Sequence, residues 1–278
     1  MEAAKQEIQQ IDIEKVIASK NEKLAKRLPK FILNYIKRIL HQDDINAFLR
    51  QHGDKIGATY IEALFDYFKY SYTTIGLDNI DPNKKYIFAS NHPIGGLDGI
   101  SLIHATYKKF GDVKFLVNDI LMNLVNIQNF FIPINKHGNL SRDVAKAMDE
   151  TFKSEAQILI FPSGYASRKI KGKIVDLEWQ KNFIVKAKQY ERDVIPVHID
   201  GRISNFFYNL ANFRKFFGIK ANLEMFFLPH ESITIKQRHI TLTFGKPIPY
   251  ESFDNSLTPK QWAAKVRSMV YELPNKNL

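Results

Sequence analysis

The spacing of apolar and polar positions changes near residue 70. Before this point, apolar residues recur three and four positions apart, as on the buried face of a helix. The clearest series is Ile61, Leu64, Phe65 and Phe68. The predicted helices cover residues 21–41, with a kink or restart at Pro29, then residues 43–52 and 56–69. We therefore expect an N-terminal amphipathic helical segment over residues 1–70.

Beyond residue 70 the chain alternates short β-type runs with helical patterns. Such alternation predicts an α/β fold, in which helices cover a mostly parallel sheet. The predicted helices cover residues 99–110, 140–153 and 179–190. The predicted strands cover residues 72–75, 86–89, 113–117, 130–134, 158–161, 194–199 and 240–244. We expect a mixed, largely parallel sheet of about seven strands flanked by helices, as one domain over residues 71–278.

Composition narrows the classes of protein that fit. Hydrophobic residues make up 45% of the 278 residues, enough for a core. The absence of cysteine excludes disulfides, thiolate metal sites and a cysteine nucleophile. Neither a secretory signal nor a run of about 18 apolar residues is visible, so we expect no signal peptide and no membrane-spanning helix. The net charge of +11 predicts an anionic partner: nucleic acid, phospholipid headgroups or an acidic carrier protein.

A histidine and an aspartate follow the second predicted strand. The block Ser-Asn-His-Pro-Ile-Gly-Gly-Leu-Asp-Gly places His92 and Asp98 six residues apart. Its proline and paired glycines disfavour a regular helix, so we expect a turn with Asp98 at the start of the next helix. There Asp98 can hold one imidazole nitrogen while the other accepts a proton, as in a general base. The alternative is that Asp98 only caps the helix and His92 is a polar residue at the strand end.

Two further loops carry polar residues directly after predicted strands, at the edge where α/β proteins place their sites. The first contains Ser163, Gly164, Arg168 and Lys169, and the second contains Asn135, Lys136 and, further on, Arg142. Their cations could bind a phosphate or a carboxylate, or both loops could be ordinary turns with a solvated basic edge. Ser163 lacks the Gly-x-Ser-x-Gly elbow, which argues against a serine hydrolase.

The remaining signals concern surfaces and ligands. Residues 205–217 combine five phenylalanines and a tyrosine with two cations. This segment could be core or, together with the basic helix of residues 21–41, a membrane-interface surface. The eight histidines lack metal-ligand spacing, so no metal is expected. No nucleic-acid-binding module is visible, so we expect no nucleic-acid partner.

Taken in order, four blocks resemble those of the glycerolipid acyltransferase (lysophosphatidic acid acyltransferase, PlsC-like) family, over about residues 72–250. That family carries an Asn-His-x4-Asp block, a block with an arginine after a strand, a Phe-Pro-Glu-Gly block and a Val-Ile-Pro-Val block. The corresponding positions here are Asn91 and His92 with Asp98, then residues 131–135, 161–164 and 194–197.

This resemblance implies a mechanism. His92 would deprotonate an acceptor hydroxyl, which then attacks an acyl thioester, and Asp98 would orient His92. Backbone N–H groups near Gly95, Gly96 or the following helix start would bind the oxyanion, and Asn91 would line the same loop. No metal or cofactor is implied.

Departures from the family pattern indicate a different acceptor lipid. The gap between His92 and Asp98 is one residue longer than usual, and Ser163 replaces the glutamate of the Phe-Pro-Glu-Gly block. Asn135 stands where an arginine is expected. In the family, those two charged residues are associated with binding glycerol phosphate. The Asn-His-Pro-x-Gly-Gly-Leu-Asp-Gly block is similar to a divergent bacterial branch that O-acylates N-acyl amino acids to make glycine or ornithine lipids. Candidates for binding the carboxylate of such an acceptor are Lys136, Arg142, Arg168 and Lys169.

Together, these expectations describe a peripheral membrane O-acyltransferase on the cytoplasmic side of a bacterial inner membrane. The donor would be a thioester of acyl carrier protein or coenzyme A, and the acceptor a lyso-aminolipid. The membrane surface would comprise residues 21–41 and 205–217. Two alternatives stay open: a 1-acylglycerol-3-phosphate O-acyltransferase of phospholipid synthesis, and a non-catalytic basic protein that binds lipid or RNA.

Overall fold

The computed structural model describes residues 10–20, 22–133, 142–219, 223–234 and 238–275. The chain divides into two compact units: Met1–Tyr70 with Ser204–Lys236, and Ser71–Ile203 with Gln237–Leu278. Residues 204–236 were expected in the α/β domain and are grouped with the N-terminal helices instead. The reason is direct contact, since His41 Nε2 lies 2.9 Å from His230 Nδ1, and Tyr70 donates a hydrogen bond to the carbonyl of Ser232.

A seven-stranded mixed sheet organises the second unit, in the order β1-β9-β8-β2-β5-β3-β4. Neighbouring strands are parallel except β8 and β9, which are antiparallel. This sheet confirms the predicted fold class. A separate antiparallel hairpin, β6–β7, was not predicted. The strands are β1 (Ser71–Ile75), β2 (Tyr86–Ser90), β3 (Val113–Val117), β4 (Phe131–Pro133), β5 (Gln157–Ile160), β6 (Arg168–Ile170), β7 (Lys173–Val175), β8 (Asp193–Ile199) and β9 (His239–Phe244).

Eleven α-helices are described in the two units. Pro29 separates α2 from α3, as the expected kink or restart implies. Helices α1, α9, α10 and α11 were not predicted from the sequence, although Thr258 and Gln261 form a capping box that begins α11. The helices are α1 (Ile13–Lys20), α2 (Glu22–Arg27), α3 (Lys30–Ile39), α4 (Gln42–His52), α5 (Gly57–Phe68), α6 (Leu97–Phe110), α7 (Arg142–Lys153), α8 (Asn182–Gln189), α9 (Asn205–Phe216), α10 (Leu228–Thr234) and α11 (Pro259–Glu272).

Strand β2 is buried along its whole length and packs helices against both of its faces. Side chains alternate between the two faces of a strand. Ile87 and Ala89 therefore point to one face, where they join a core cluster with residues of α8 and α11. Tyr86 and Phe88 point to the other face, where both rings contact Phe110 of α6. This packing fixes the position of the end of β2, and therefore the position at which the loop after β2 begins.

The first unit carries helices α1–α5, α9 and α10. Among the residues that the structure describes, none of these or the other helices combines the length and hydropathy needed to cross a membrane.

Candidate functional site

A six-residue turn, Asn91 to Gly96, joins the end of β2 to the start of α6. Asn91 anchors the turn, because its amide nitrogen donates to the carbonyl of Ile199 (2.9 Å) and its amide oxygen accepts from the N–H of the same residue (2.7 Å). Gly95 has a φ of 95°, a conformation that favours glycine. The side chain of Asn91 is therefore buried against the end of β8 and anchors the turn at its first residue.

His92 and Asp98 meet across this turn. The Nδ1 atom of His92 lies 2.9 Å from Oδ2 of Asp98, which is fully buried, whereas 16% of the His92 side chain is exposed. Asp98 also accepts hydrogen bonds from three backbone N–H groups, those of Ile94 (2.9 Å), Gly95 (3.1 Å) and Gly99 (2.8 Å). Asp98 thus binds an N–H group in the first turn of α6 and also binds the imidazole. The helix-capping interpretation and the interpretation as a partner of His92 are therefore compatible.

The carboxyl group of Asp98 is held in its ionised form. Burial by itself would raise its pKa, but the charge of His92 and the hydrogen bonds from His92, Ile94 and Gly95 outweigh burial and lower the pKa below its ordinary value. An ionised Asp98 favours the tautomer that carries the proton on Nδ1 of His92. Nε2 is then the proton-accepting nitrogen, and no described residue hydrogen-bonds to it.

These hydrogen bonds reduce the number of backbone N–H groups that are available to bind an oxyanion. The N–H groups of Ile94 and Gly95 already donate to Asp98, as does that of Gly99. Of the two glycines expected to supply donors, Gly96 is the one whose N–H is not used in this way. Gly96 also forms the N-cap position of α6, where free N–H groups point out of the helix.

The loop after β5 contacts His92 through an aromatic ring. Phe161 stacks on the imidazole, with a centroid distance of 4.0 Å and an angle of 20° between the planes. This contact limits rotation of the imidazole about its side-chain bonds. The Phe-Pro-Ser-Gly block thus lies at the His92 site, as its position after a predicted strand suggested.

Two polar side chains of this block donate hydrogen bonds to backbone carbonyls of the same block. Ser163 is buried and donates to the carbonyl of Tyr165 (2.8 Å), while Arg168 is buried and donates to the carbonyl of Ala166 (2.7 Å). Both side chains are thus bonded within the chain, and the expectation that Ser163 and Arg168 bind an acceptor stays a prediction. Gly164 is exposed with a φ of 65° and forms the turn. Lys169 is half-buried and is the cation of this block that retains access to solvent.

The third predicted block is only partly described. Asn135 and Lys136 lie outside the described residues. Arg142 begins α7, and its side chain is also outside the described part of the structure. Among the described residues, no group of three or more histidine, aspartate or glutamate side chains could hold a metal ion.

Ser167 and Asp176 contact the main chain of His92 and were missed by the sequence analysis. The N–H of Ser167 donates to the carbonyl of His92 (2.7 Å), and the N–H of His92 donates to Oδ1 of Asp176 (3.2 Å). Both residues are far from His92 in sequence and match no motif, so no local signal could have found them.

The surface predicted for membrane contact lies in the first unit. Within α9, Phe207 and Tyr208 are buried core residues, while other aromatic side chains of the unit are exposed. Phe216 is the most exposed, at 85%. The exposed aromatic residues are Phe31, Tyr35, Phe206, Phe213, Phe216, Phe217 and Phe226. The two expectations for residues 205–217, core and surface, therefore apply to different faces of one helix.

This chain is similar to known proteins over most of its length. A family model described as "Acyltransferase" matches residues 15–277. Two relatives are named lyso-glycine lipid O-acyltransferase, one from Bacteroides thetaiotaomicron and one from Phocaeicola vulgatus. Each is 45% identical over 264 residues, which is 95% of this chain and 97% or 95% of the relative. The crystal structure of the 1-acyl-sn-glycerophosphate (LPA) acyltransferase PlsC from Thermotoga maritima is 16% identical, covers 79% of this chain and 78% of its own, and has a TM-score of 0.49.

Proposed function

This chain belongs to the acyltransferase family, and we propose that it transfers a fatty acyl group from a thioester to the hydroxyl of a lyso-aminolipid. The relatives named for lyso-glycine lipid support this acceptor class, because they match nearly the whole chain. The observation that carries the chemistry is the 2.9 Å contact between His92 Nδ1 and the buried carboxylate of Asp98. It leaves Nε2 of His92 as the base for a hydroxyl proton.

The reaction follows from this geometry. Nε2 of His92 removes the proton of the acceptor hydroxyl as its oxygen attacks the thioester carbonyl carbon. We propose that the N–H of Gly96, at the start of α6, donates to the oxyanion that forms. The C–S bond then breaks, and the imidazolium returns the proton to the leaving thiolate. Asp98 stabilises the imidazolium throughout, because its carboxylate stays ionised. The products are an ester and a thiol, and the step requires no metal or redox cofactor.

The donor is proposed to be a thioester of acyl carrier protein or of coenzyme A. The net charge of +11 favours either one, since both carry negative charge. The acceptor of this class has a carboxylate in place of a phosphate. Lys169, half-buried beside the Phe-Pro-Ser-Gly block, is the described cation proposed to bind it, together with Lys136 and Arg142.

We further propose that the first unit binds the cytoplasmic face of a bacterial inner membrane peripherally. Its exposed phenylalanines can enter the headgroup boundary, while neighbouring cations contact anionic lipids. Phe216 and Phe217 are exposed and follow directly after Lys215, which is also exposed. The same pairing occurs in α3, where exposed Phe31 follows Lys30.

The catalytic proposal is tested with purified protein, an acyl-carrier thioester, and either an N-(3-hydroxyacyl) glycine or lysophosphatidate as acceptor. We expect esterification of the glycine lipid, and its loss in His92→Ala. The matched control is His239→Ala, because His239 is an exposed residue of β9. Unchanged transfer by folded His92→Ala would reject the base, and preferred esterification of lysophosphatidate would reject the acceptor.

The membrane proposal is tested by flotation with vesicles that contain anionic phospholipid. Phe216→Ser combined with Phe217→Ser should weaken binding, as should high salt, which screens the cationic contribution. Val185→Ser is the matched control, because Val185 is an exposed apolar residue of α8 in the other unit. Binding that survives both the double substitution and high salt would contradict the proposal.

A further inference from the structure

The main chain of His92 is bound on both of its polar groups by the β6–β7 hairpin. The carbonyl of His92 accepts a hydrogen bond from the N–H of Ser167 (2.7 Å), and the Ser167 hydroxyl oxygen lies 3.1 Å from the same carbonyl oxygen. The N–H of His92 donates to Oδ1 of Asp176 at 3.2 Å. All three contacts are made to the peptide groups of His92, and none is made to the imidazole.

The hairpin fixes the spacing of these two partners. Arg168 pairs with Val175 in the antiparallel register, so Ser167 and Asp176 are the next residues outward at the open end of the hairpin. The turn at Lys171 and Gly172 has φ values of 47° and 82°, the left-handed pair typical of tight two-residue hairpins. Ser167 and Asp176 are also bonded to each other, with 2.6 Å between the hydroxyl and Oδ1.

Asp176 is itself bound by three other side chains. Its second oxygen, Oδ2, accepts a hydrogen bond from the indole of Trp179 (2.8 Å). Its backbone N–H donates to the hydroxyl of Tyr271 (2.7 Å), and its carbonyl accepts from Arg267 (2.7 Å). Only 1% of Asp176 is exposed, and the same is true of Ser167. Such a network resists displacement, because any movement would leave buried polar groups without partners.

We propose that Ser167 and Asp176 are positioning residues that hold the His92 backbone in the geometry its imidazole needs for proton transfer. This proposal rests on the proposed role of His92 as the base. The imidazole is oriented by Asp98 and Phe161, but the position of its Cα is set by the peptide groups on either side. A base displaced by about 1 Å can lose about 10²-fold in rate even when substrate still binds.

The test is steady-state kinetics of Ser167→Ala, Asp176→Ala and Asp176→Asn. Asp176→Ala removes the acceptor of the His92 N–H, so we expect kcat to fall roughly 10- to 100-fold with KM changed by less than about threefold, because only the transition state requires an aligned base. Ser167→Ala keeps the backbone N–H that donates to the His92 carbonyl and loses only the hydroxyl that supports Asp176, so its fall in kcat should be smaller, about 3- to 10-fold. Asp176→Asn should recover part of the lost kcat, since its amide oxygen can still accept from the N–H of His92. The matched control is Phe253→Leu, a buried core change that destabilises the unit without touching the hairpin.

A spectroscopic readout separates positioning from general destabilisation. The Nδ1 proton that His92 shares with Asp98 should give a downfield resonance, identified by its loss in His92→Ala. It should exchange faster with water in Asp176→Ala and Ser167→Ala than in Phe253→Leu. If Asp176→Ala does not fold, Ser167→Ala decides the question by the same two measurements.

The outcomes distinguish this proposal from the catalytic one. Full activity of His92→Ala would reject the catalytic proposal and this one with it. An inactive His92→Ala, together with wild-type kcat in folded Ser167→Ala and Asp176→Ala, would reject the positioning role alone. A kcat of Asp176→Asn no higher than that of Asp176→Ala would also reject it.

Discussion

Two buried aspartates hold His92, and they hold different parts of it. Asp98 accepts a hydrogen bond from the imidazole, and Asp176 accepts one from the main-chain N–H. Asp98 lies six residues from His92, whereas Asp176 lies 84 residues away on a hairpin. One contact is therefore made by the turn itself, and the other depends on the folded unit.

The pKa values of the two carboxyl groups are shifted in opposite directions. Burial raises the pKa of Asp176, and its hydrogen bonds from Ser167, Trp179 and His92 only partly oppose this effect. For Asp98, the charge of His92 and its hydrogen bonds reverse the effect of burial and lower the pKa. Asp98 is thus built to remain charged beside the imidazole, whereas Asp176 is built as a hydrogen-bond acceptor for a backbone. Similar burial of one residue type supports an electrostatic role in one place and a positional role in the other.

The largest expected effect comes from Asp98→Asn. Loss of the charge that fixes the tautomer and stabilises the imidazolium should lower kcat by about 10³- to 10⁴-fold. The measurement is kcat at saturating donor and acceptor, with Asp66→Asn on the exposed face of α5 as the control. A smaller loss in Asp98→Asn than in Asp176→Asn would reverse the roles assigned to the two carboxylates.

The second effect tests the anchoring of the turn through stability. Asn91→Ala leaves the N–H and carbonyl of Ile199 without their partner, which should cost about 2–4 kcal/mol of the free energy of unfolding. Urea unfolding of the variant measures this loss. Asn83→Ala is the control, because Asn83 is exposed and should change stability by less than about 0.5 kcal/mol. Equal stability of the two variants would mean that the Asn91 contacts do not anchor the turn.

The third effect tests the packing of Ile94, a residue of the turn between His92 and Asp98, against Gly201. A Cβ added at Gly201 would lie 2.5 Å from Cδ1 of Ile94, a fully buried residue whose N–H donates to Asp98. Gly201→Ala should therefore cost about 1–3 kcal/mol in the free energy of unfolding. In the double variant with Ile94→Ala the clash is removed, so Gly201→Ala should cost little on that background. Simple additivity of the two changes would show that this clash is not the cause.

The smallest effect is the pH dependence of stability, which should differ in sign between the two carboxyl groups. The lowered pKa of Asp98 stabilises the fold above its ordinary value of 3.8, and this contribution is lost as pH falls through the lower folded value. The raised pKa of Asp176 has the opposite consequence, since stability is lost as pH rises above 3.8 toward the higher folded value.

Urea unfolding at several pH values between about 4 and 7 checks this difference. The stability of wild type relative to Asp176→Asn should decline as pH rises across this range. The stability of wild type relative to Asp98→Asn should stay nearly constant across it and fall only at lower pH. Parallel curves for the two variants would contradict the assigned directions.

Much of the second unit could be predicted from sequence because its strands are short, apolar and separated by helical patterns. Strand β2 is an example, since its continuous apolar run reflects burial on both faces. The β6–β7 hairpin was missed because its strands have three residues each and carry lysines, so they show no apolar alternation. The assignment of residues 204–236 was also missed, since it depends on contacts such as that between His41 and His230.

The sequence by itself determined the seven strands of the main sheet and the pairing of His92 with Asp98. Both are local properties, because hydrophobic periodicity defines each element and a turn of a few residues brings the two side chains together. The tertiary structure decided which polar residues remain available for a ligand. Asn91, Ser163 and Arg168 bind backbone groups, and Ser167 and Asp176 bind His92. A buried polar group must find a partner, and only the folded chain determines which one lies within reach.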